Sequence, residues 1–165
     1  MKKIVYYFLI VCTVVTAQFL RCNIVSAKPV AEISATTKGK DVKSPIPMLM
    51  KTEQVSPNKI QISYDRDVDI KLGTKATNYW IQDTLNAIPK GIGTLGKEDK
   101  VNATNSLMDS MVKIEPTNGS AKTFTLTFNQ SIPRGSEYML IICYVTVPGA
   151  PPYSGDNGMA IFIGK

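Results

Sequence analysis

Residues 123–128 read Thr-Phe-Thr-Leu-Thr-Phe, and this hexapeptide decides the fold class. Side chains alternate between the two faces of an extended strand, so Phe124, Leu126 and Phe128 share one face and three threonines the other. A helix would scatter the same residues around its circumference. Working outward, Asn118-Gly119 is the dipeptide that takes the left-handed backbone of a tight hairpin. Before it, Met111–Glu115 alternates again. The pattern predicts a β-hairpin with one buried face.

The same signal recurs along the chain. Met48–Val55 and Lys59–Tyr64 are strand runs separated by Ser56-Pro57-Asn58, a turn sequence. Asn78–Asp83 and Met159–Ile163 are further strands, and Tyr138–Val147 is apolar on both faces, as for a central strand covered on two sides. Helix signals are weak: Asp83–Ile88 is cut short by Pro89, and Lys97–Met111 has room for one or two turns. About seven short strands with turns roughly every 8–15 residues predict an all-β antiparallel sandwich over residues 47–165.

The start of the chain has a different logic. Lys2 and Lys3 precede the apolar run Ile4–Leu20, and Val25-Ser26-Ala27 places small residues where a signal peptidase cuts. Residues 1–27 therefore read as a secretory signal peptide, with Lys28 as the expected mature start. Val15-Thr16-Ala17 is a second possible site, and a retained anchor is the alternative, since the run is at the short limit of a membrane span. Residues 28–46, rich in Lys, Thr, Ser and Pro, read as a flexible tether. Cleavage removes three of the 19 basic residues and none of the 13 acidic ones, so the net charge falls from +6 to +3. That is a mild charge, without the basic clustering of a nucleic-acid surface. Cys12 and Cys22 leave with the signal, and Cys143 between Ile142 and Tyr144 reads as a small buried hydrophobe.

SPNKIQISYDRDVDIKLGTKATNYWIQD (residues 56–83) resembles the opening of immunoglobulin-like domains of bacterial S-layer and other cell-surface proteins. There an aromatic ends a strand before a Val-Asp turn, here Val68-Asp69, and an Asn-Tyr pair, here Asn78-Tyr79, opens the next. TFTLTFNQSIPRGSEYMLIICYVTVPG (residues 123–149) resembles their second half, with a Pro-x-Gly-x-x-Tyr corner at Pro133, Gly135 and Tyr138. The resemblance implies an immunoglobulin-like sandwich serving as a surface spacer or adhesion module, and it brings no common catalytic residues. Two departures stand out. Gly149–Gly158 lacks the aspartate usual after the long strand, and Gly91–Asp109 is longer and more polar than its counterpart.

The chain has no histidine, which removes Ser-His-Asp and Cys-His catalysis and the commonest zinc and copper ligand. Gly91-Ile92-Gly93-Thr94-Leu95-Gly96 matches a phosphate-loop spelling, but Ile88-Pro89-Lys90 precedes it and Glu98 sits where magnesium needs a hydroxyl. It reads as a flexible surface loop. Asp65, Asp67 and Asp69 have the first spacings of a calcium loop, with Asp156 as a possible extra ligand, yet Ile70 and Ala76 occupy the positions of its glycine and glutamate. No cofactor or metal is therefore expected, and calcium stays the open alternative. Methionines 48, 50, 108, 111, 139 and 159 read as core packing.

Displayed aromatics are the candidate ligand-binding residues. Tyr79 and Trp80 are consecutive, so one faces outward if the other faces the core. Tyr153 lies in Pro-Pro-Tyr-Ser-Gly, a loop sequence. The expected function is an exported, non-enzymatic interaction or structural module, secreted or at the cell surface. Its partner would be a protein or glycan, with no nucleic acid and no membrane span after cleavage; the oligomeric state stays open. The alternative is an inhibitor that wedges the loops at 91–96 and 116–119 into a secreted protease.

Phe124→Ala and Phe128→Ala should each destabilise by about 3–5 kcal/mol, and Thr125→Ala by far less. Equal, small losses at all three sites in urea unfolding would contradict the alternation.

Overall fold

The computed structural model describes residues 46–165; the signal and nearly all of the tether lie outside the described residues. The strands are β1 (Leu49–Ser56), β2 (Lys59–Tyr64), β3 (Tyr79–Asp83), β4 (Val112–Pro116), β5 (Thr123–Phe128), β6 (Glu137–Cys143) and β7 (Asp156–Ile163), with one helical turn, α1 (Ile70–Gly73). They form two antiparallel sheets, ordered β1-β2-β5-β4 and β3-β6-β7. This is the strand order of a constant-type immunoglobulin sandwich.

The core follows from register. Ile60 lies opposite Leu126 and Ile62 opposite Phe124, while Ile114 faces Leu126 from the other side. Paired residues in an antiparallel ladder point to the same face, so these form one apolar surface. It meets Tyr79, Ile81, Tyr138, Leu140, Ile142 and Phe162 of the second sheet in one buried cluster. The hairpin turn is as expected, with Asn118 and Gly119 at φ 52° and 73°.

The second sheet is covered on its outer face as well. Trp80 lies opposite Ile141 on that face, and both are buried there with Leu95 and Cys143, against Val101 and Met139. The cover is the long connection from β3 to β4. Its Thr94 N–H donates to Ile81 O at 2.7 Å, and Leu95 O accepts from Asp83 N–H at 2.8 Å. This strap occupies the exposed edge of β3, which would otherwise present unpaired backbone groups. A 3-10 turn at Ala103–Asn105 finishes it, and the Trp80 indole donates to Asn102 O at 2.9 Å and Asn105 Oδ1 at 3.1 Å.

Three expectations are corrected here. Gly91–Gly96 is no loose surface loop: Ile92 and Leu95 are buried, and a Cβ on Gly96 would fall 1.8 Å from Ala87 O. Packing against β3 fixes the segment. Of the methionines, 48, 50, 108 and 159 are exposed rather than core, because they fall on outward strand positions and a loop. The long strand ends at Cys143 instead of Val147, for a reason given below.

Asp83 ends β3 and holds the strap's first turn. The residue is 2% exposed, and its carboxylate accepts from the backbone N–H groups of Leu85, Asn86 and Lys90 and from the Asn86 amide, at 2.9–3.1 Å. Burial pushes its pKa up, but the hydrogen bonds together outweigh burial and leave the carboxyl below its ordinary value. A depressed folded pKa gives stabilisation that is full above the unfolded value, about 3.9, and is lost as pH falls through the folded one. Asp83→Asn aims a donor amide at donor N–H groups, so it should cost about 2–3 kcal/mol at neutral pH. Thermal unfolding from pH 7 to pH ~2 should show the gap between the two proteins narrowing as Asp83 becomes protonated. A gap that does not change with pH would mean that the charge is not the source.

Candidate functional site

The connections β2–β3, β4–β5 and β6–β7 gather at one end of the sandwich. Val68 N–H donates to Ala121 O and Asp69 N–H to Thr146 O, at 2.9 and 2.8 Å, so the Val-Asp turn is bonded to both neighbouring loops. Asp69 Oδ1 caps α1 by accepting from Leu72 N–H at 3.1 Å, and the Asn78 amide donates to Leu72 O at 3.0 Å. Below this turn the Tyr79 hydroxyl donates to Gly73 O at 2.5 Å. Its one proton is thus used, so Tyr64, 2.9 Å away, is the donor between the two hydroxyls. Burial raises the pKa of both phenols, which keeps the chain neutral.

The opposite wall begins where β6 stops. Tyr144 takes a left-handed backbone, φ 68°, just after a shift in the β6–β7 register between Ile141 and Cys143. The next residue's backbone is then captured by a side chain. Asn157, fully buried, accepts from Val145 N–H at 2.9 Å through Oδ1 and donates to Val145 O at 2.7 Å and Pro47 O at 2.9 Å through Nδ2. Val145 therefore cannot continue the ladder, although its side chain is as apolar as a strand residue.

Between these walls lies a cleft of about 540 Å³, lined by Lys71, Leu72 and Lys75 on one side and Tyr144, Pro152 and Tyr153 on the other. Tyr144 is 43% exposed and meets Trp80 edge-on, ring centroids 6.0 Å apart at 74°. Tyr153 is half-buried in a loop; its hydroxyl donates to Asp156 O at 3.0 Å. Its ring lies over Gly155, where a Cβ would stand 2.3 Å from the phenol oxygen, so only glycine allows this placement. Neither Lys71 nor Lys75 forms an ion pair among the described residues. Asp69 also lines the cleft, with one carboxylate oxygen already engaged by the cap. The arrangement offers two fixed aromatic rings, two free ammonium groups and an apolar floor, which is equipment for binding.

Of the three candidate aromatics, the fold brings only Tyr153 to this cleft. Tyr79 and Trp80 are 0% and 1% exposed, so the expectation of a displayed ring there is corrected. Tyr79 points into the core and Trp80 outward as the alternation requires, but the strap covers the outward face. Tyr144 was missed, and the signal for it was slight: an aromatic in a run that reads as continuous strand.

The turn acids separate. Asp65 pairs with Arg66 at 2.7 Å and accepts from Met48 N–H, Asp69 caps α1, and Asp156 accepts from Gly158 N–H. Among the described residues no group of three or more acidic, cysteine or histidine side chains is placed to hold a metal. Cys143 is buried, and burial followed by the nearby Asp156 charge pushes its thiol pKa up. The glycine segment lies against Tyr138 and Pro133 at the far end from Thr117–Gly119, so the two loops of the inhibitor reading cannot form one wedge.

No family model and no curated protein matches the sequence. The fold is similar to solved parts of the bacterial S-layer protein SbsC. Its N-terminal part is 12% identical at a TM-score of 0.50, covering 72% of this chain and 23% of that one. Its domains 1–6 are 10% identical at a TM-score of 0.49, covering 73% and 14%. The chain thus spans less than a quarter of either, and at this identity the likeness concerns the fold.

Tyr144→Gly should change stability by no more than about 1 kcal/mol, because relief of the left-handed backbone, about 1–2 kcal/mol, offsets the lost contact with Trp80. Tyr144→Ala keeps the strain and loses the ring, so it should be the less stable of the two. The reverse order in urea unfolding would rule out the left-handed turn.

Proposed function

We propose that this chain is an exported, non-enzymatic interaction module, acting at the cell surface or outside the cell, that engages its partner through the loop-end cleft. The observation that carries this reading is the pair Tyr144 and Tyr153 flanking a cleft on hydrogen-bonded loops. Tyr144 is held there in a conformation that costs the backbone energy, and such outliers gather at functional sites. Export is supported by the signal-like start, and a surface role by the likeness in fold to S-layer fragments. The absence of histidine supports a binding role over a catalytic one. Immunoglobulin-type sandwiches commonly bind through the loops of one end, because a rigid scaffold fixes them while leaving them exposed.

Fluorescently labelled protein should bind the envelope of its source cells or a component of their medium. Tyr153→Ala and Tyr144→Gly should each weaken that binding about five- to thirtyfold, with the fold retained. Arg134→Ala, exposed in the β5–β6 connection at the other end, should leave it unchanged. Binding lost through Arg134 but insensitive to both tyrosines would move the site away from the cleft.

A further inference from the structure

We infer that the loop end docks an extended acidic peptide segment of a protein partner. The inference rests on the reading of the cleft as the binding end and adds the chemistry of what enters it. Lys71, in α1, and Lys75, just beyond its end, line the same cleft, both exposed and without an ion pair among the described residues. Elsewhere Lys51 and Lys113 are matched by Glu53 and Glu115 at 2.6 and 2.8 Å. Two uncompensated charges beside an apolar wall focus a positive potential into the cleft. Asp69 is the one acid that lines it, with an oxygen committed to the α1 cap. Asp67 and Asp156 lie on the same loops but do not line the cleft.

The shape favours a peptide. A second hollow of about 320 Å³, lined by Val68, Ile70, Ala121 and Pro148 together with Asp69, also borders Lys71. Lys71 therefore stands between two hollows, and Ile70, 47% exposed, is an apolar knob beside it. An extended segment can lay an acidic residue on Lys71 and place apolar side chains to either side. Aliphatic walls suit such side chains better than the hydroxyls of a sugar. The loop Pro148–Gly155 is also composed of Pro, Gly, Ala, Tyr and Ser, and Tyr, Ser and Gly recur in loops that recognise protein surfaces.

The test is fluorescence anisotropy with the full chain and two labelled probes, the peptide Ac-Glu-Leu-Glu-Glu-Leu-Glu-NH2 and its twin with every Glu replaced by Gln. The acidic probe should bind at least about tenfold more tightly, with the advantage shrinking as salt shortens the reach of the lysines. Lys71→Gln combined with Lys75→Gln should erase the difference, and Lys113→Gln should not. Equal binding of the twins overturns the acidic preference; if Tyr144→Gly weakens both, the cleft reading survives. Binding of neither probe overturns the inference, and the envelope assay then judges the cleft separately. A galacturonic acid hexamer that binds more tightly than the acidic peptide overturns the peptide class in favour of an acidic saccharide.

Discussion

The buried amide of Asn157 is the constraint on which the loop end of the sandwich depends. One side chain satisfies both backbone groups of Val145 and the carbonyl of Pro47, where the chain enters β1. It thereby ties the first sheet to the second. Every polar atom of that amide has a partner, so the residue tolerates complete burial. A residue unable to make these bonds would leave buried backbone groups unpaired, at about 1–3 kcal/mol each. The same bonds stop β6 at Cys143 and commit the chain to the turn that carries Tyr144. Stability and the shape of the cleft thus come from one interaction.

The facing wall has its own lock. Tyr64 belongs to the first sheet and Tyr79 to the second, and their hydroxyls pass a hydrogen bond on to Gly73, the last residue of α1. The turn that carries Lys71 and leads into Lys75 is therefore pinned from below by both layers, and from the sides through Val68 and Asp69. Side chains on so fixed a frame lose little backbone freedom on binding, which favours affinity through preorganisation.

The strap from β3 to β4 decides which aromatic side chains of the second sheet are hidden. By covering Trp80, Ile141 and Cys143 it turns the outer face of the second sheet into a small second core. It also closes the β3 edge. Asp83 anchors the strap through a carboxylate held by hydrogen bonds below its ordinary pKa, so protonating it in acid should loosen this cover.

How much of this was legible in the sequence follows from range. Alternation is local, so TFTLTF and KIQISY identified β5 and β2 to the residue, and Asn118-Gly119 marked their neighbouring turn. Loop chemistry is local too, and Pro-Pro-Tyr-Ser-Gly placed Tyr153 outside any strand. Period-two alternation states which side chains share a face but not what covers that face. Trp80 faces outward as its pattern demands, and only a strap more than ten residues further along the chain buries it. Likewise Val145 has the side chain of a strand residue, and only a bond from Asn157, 12 positions away, takes it out of the ladder. The sequence by itself therefore determined the strands, the sandwich and the loop that bears Tyr153. The tertiary structure decided which aromatics are displayed and which lysines face them, because burial and convergence depend on groups that the chain brings together only when it folds.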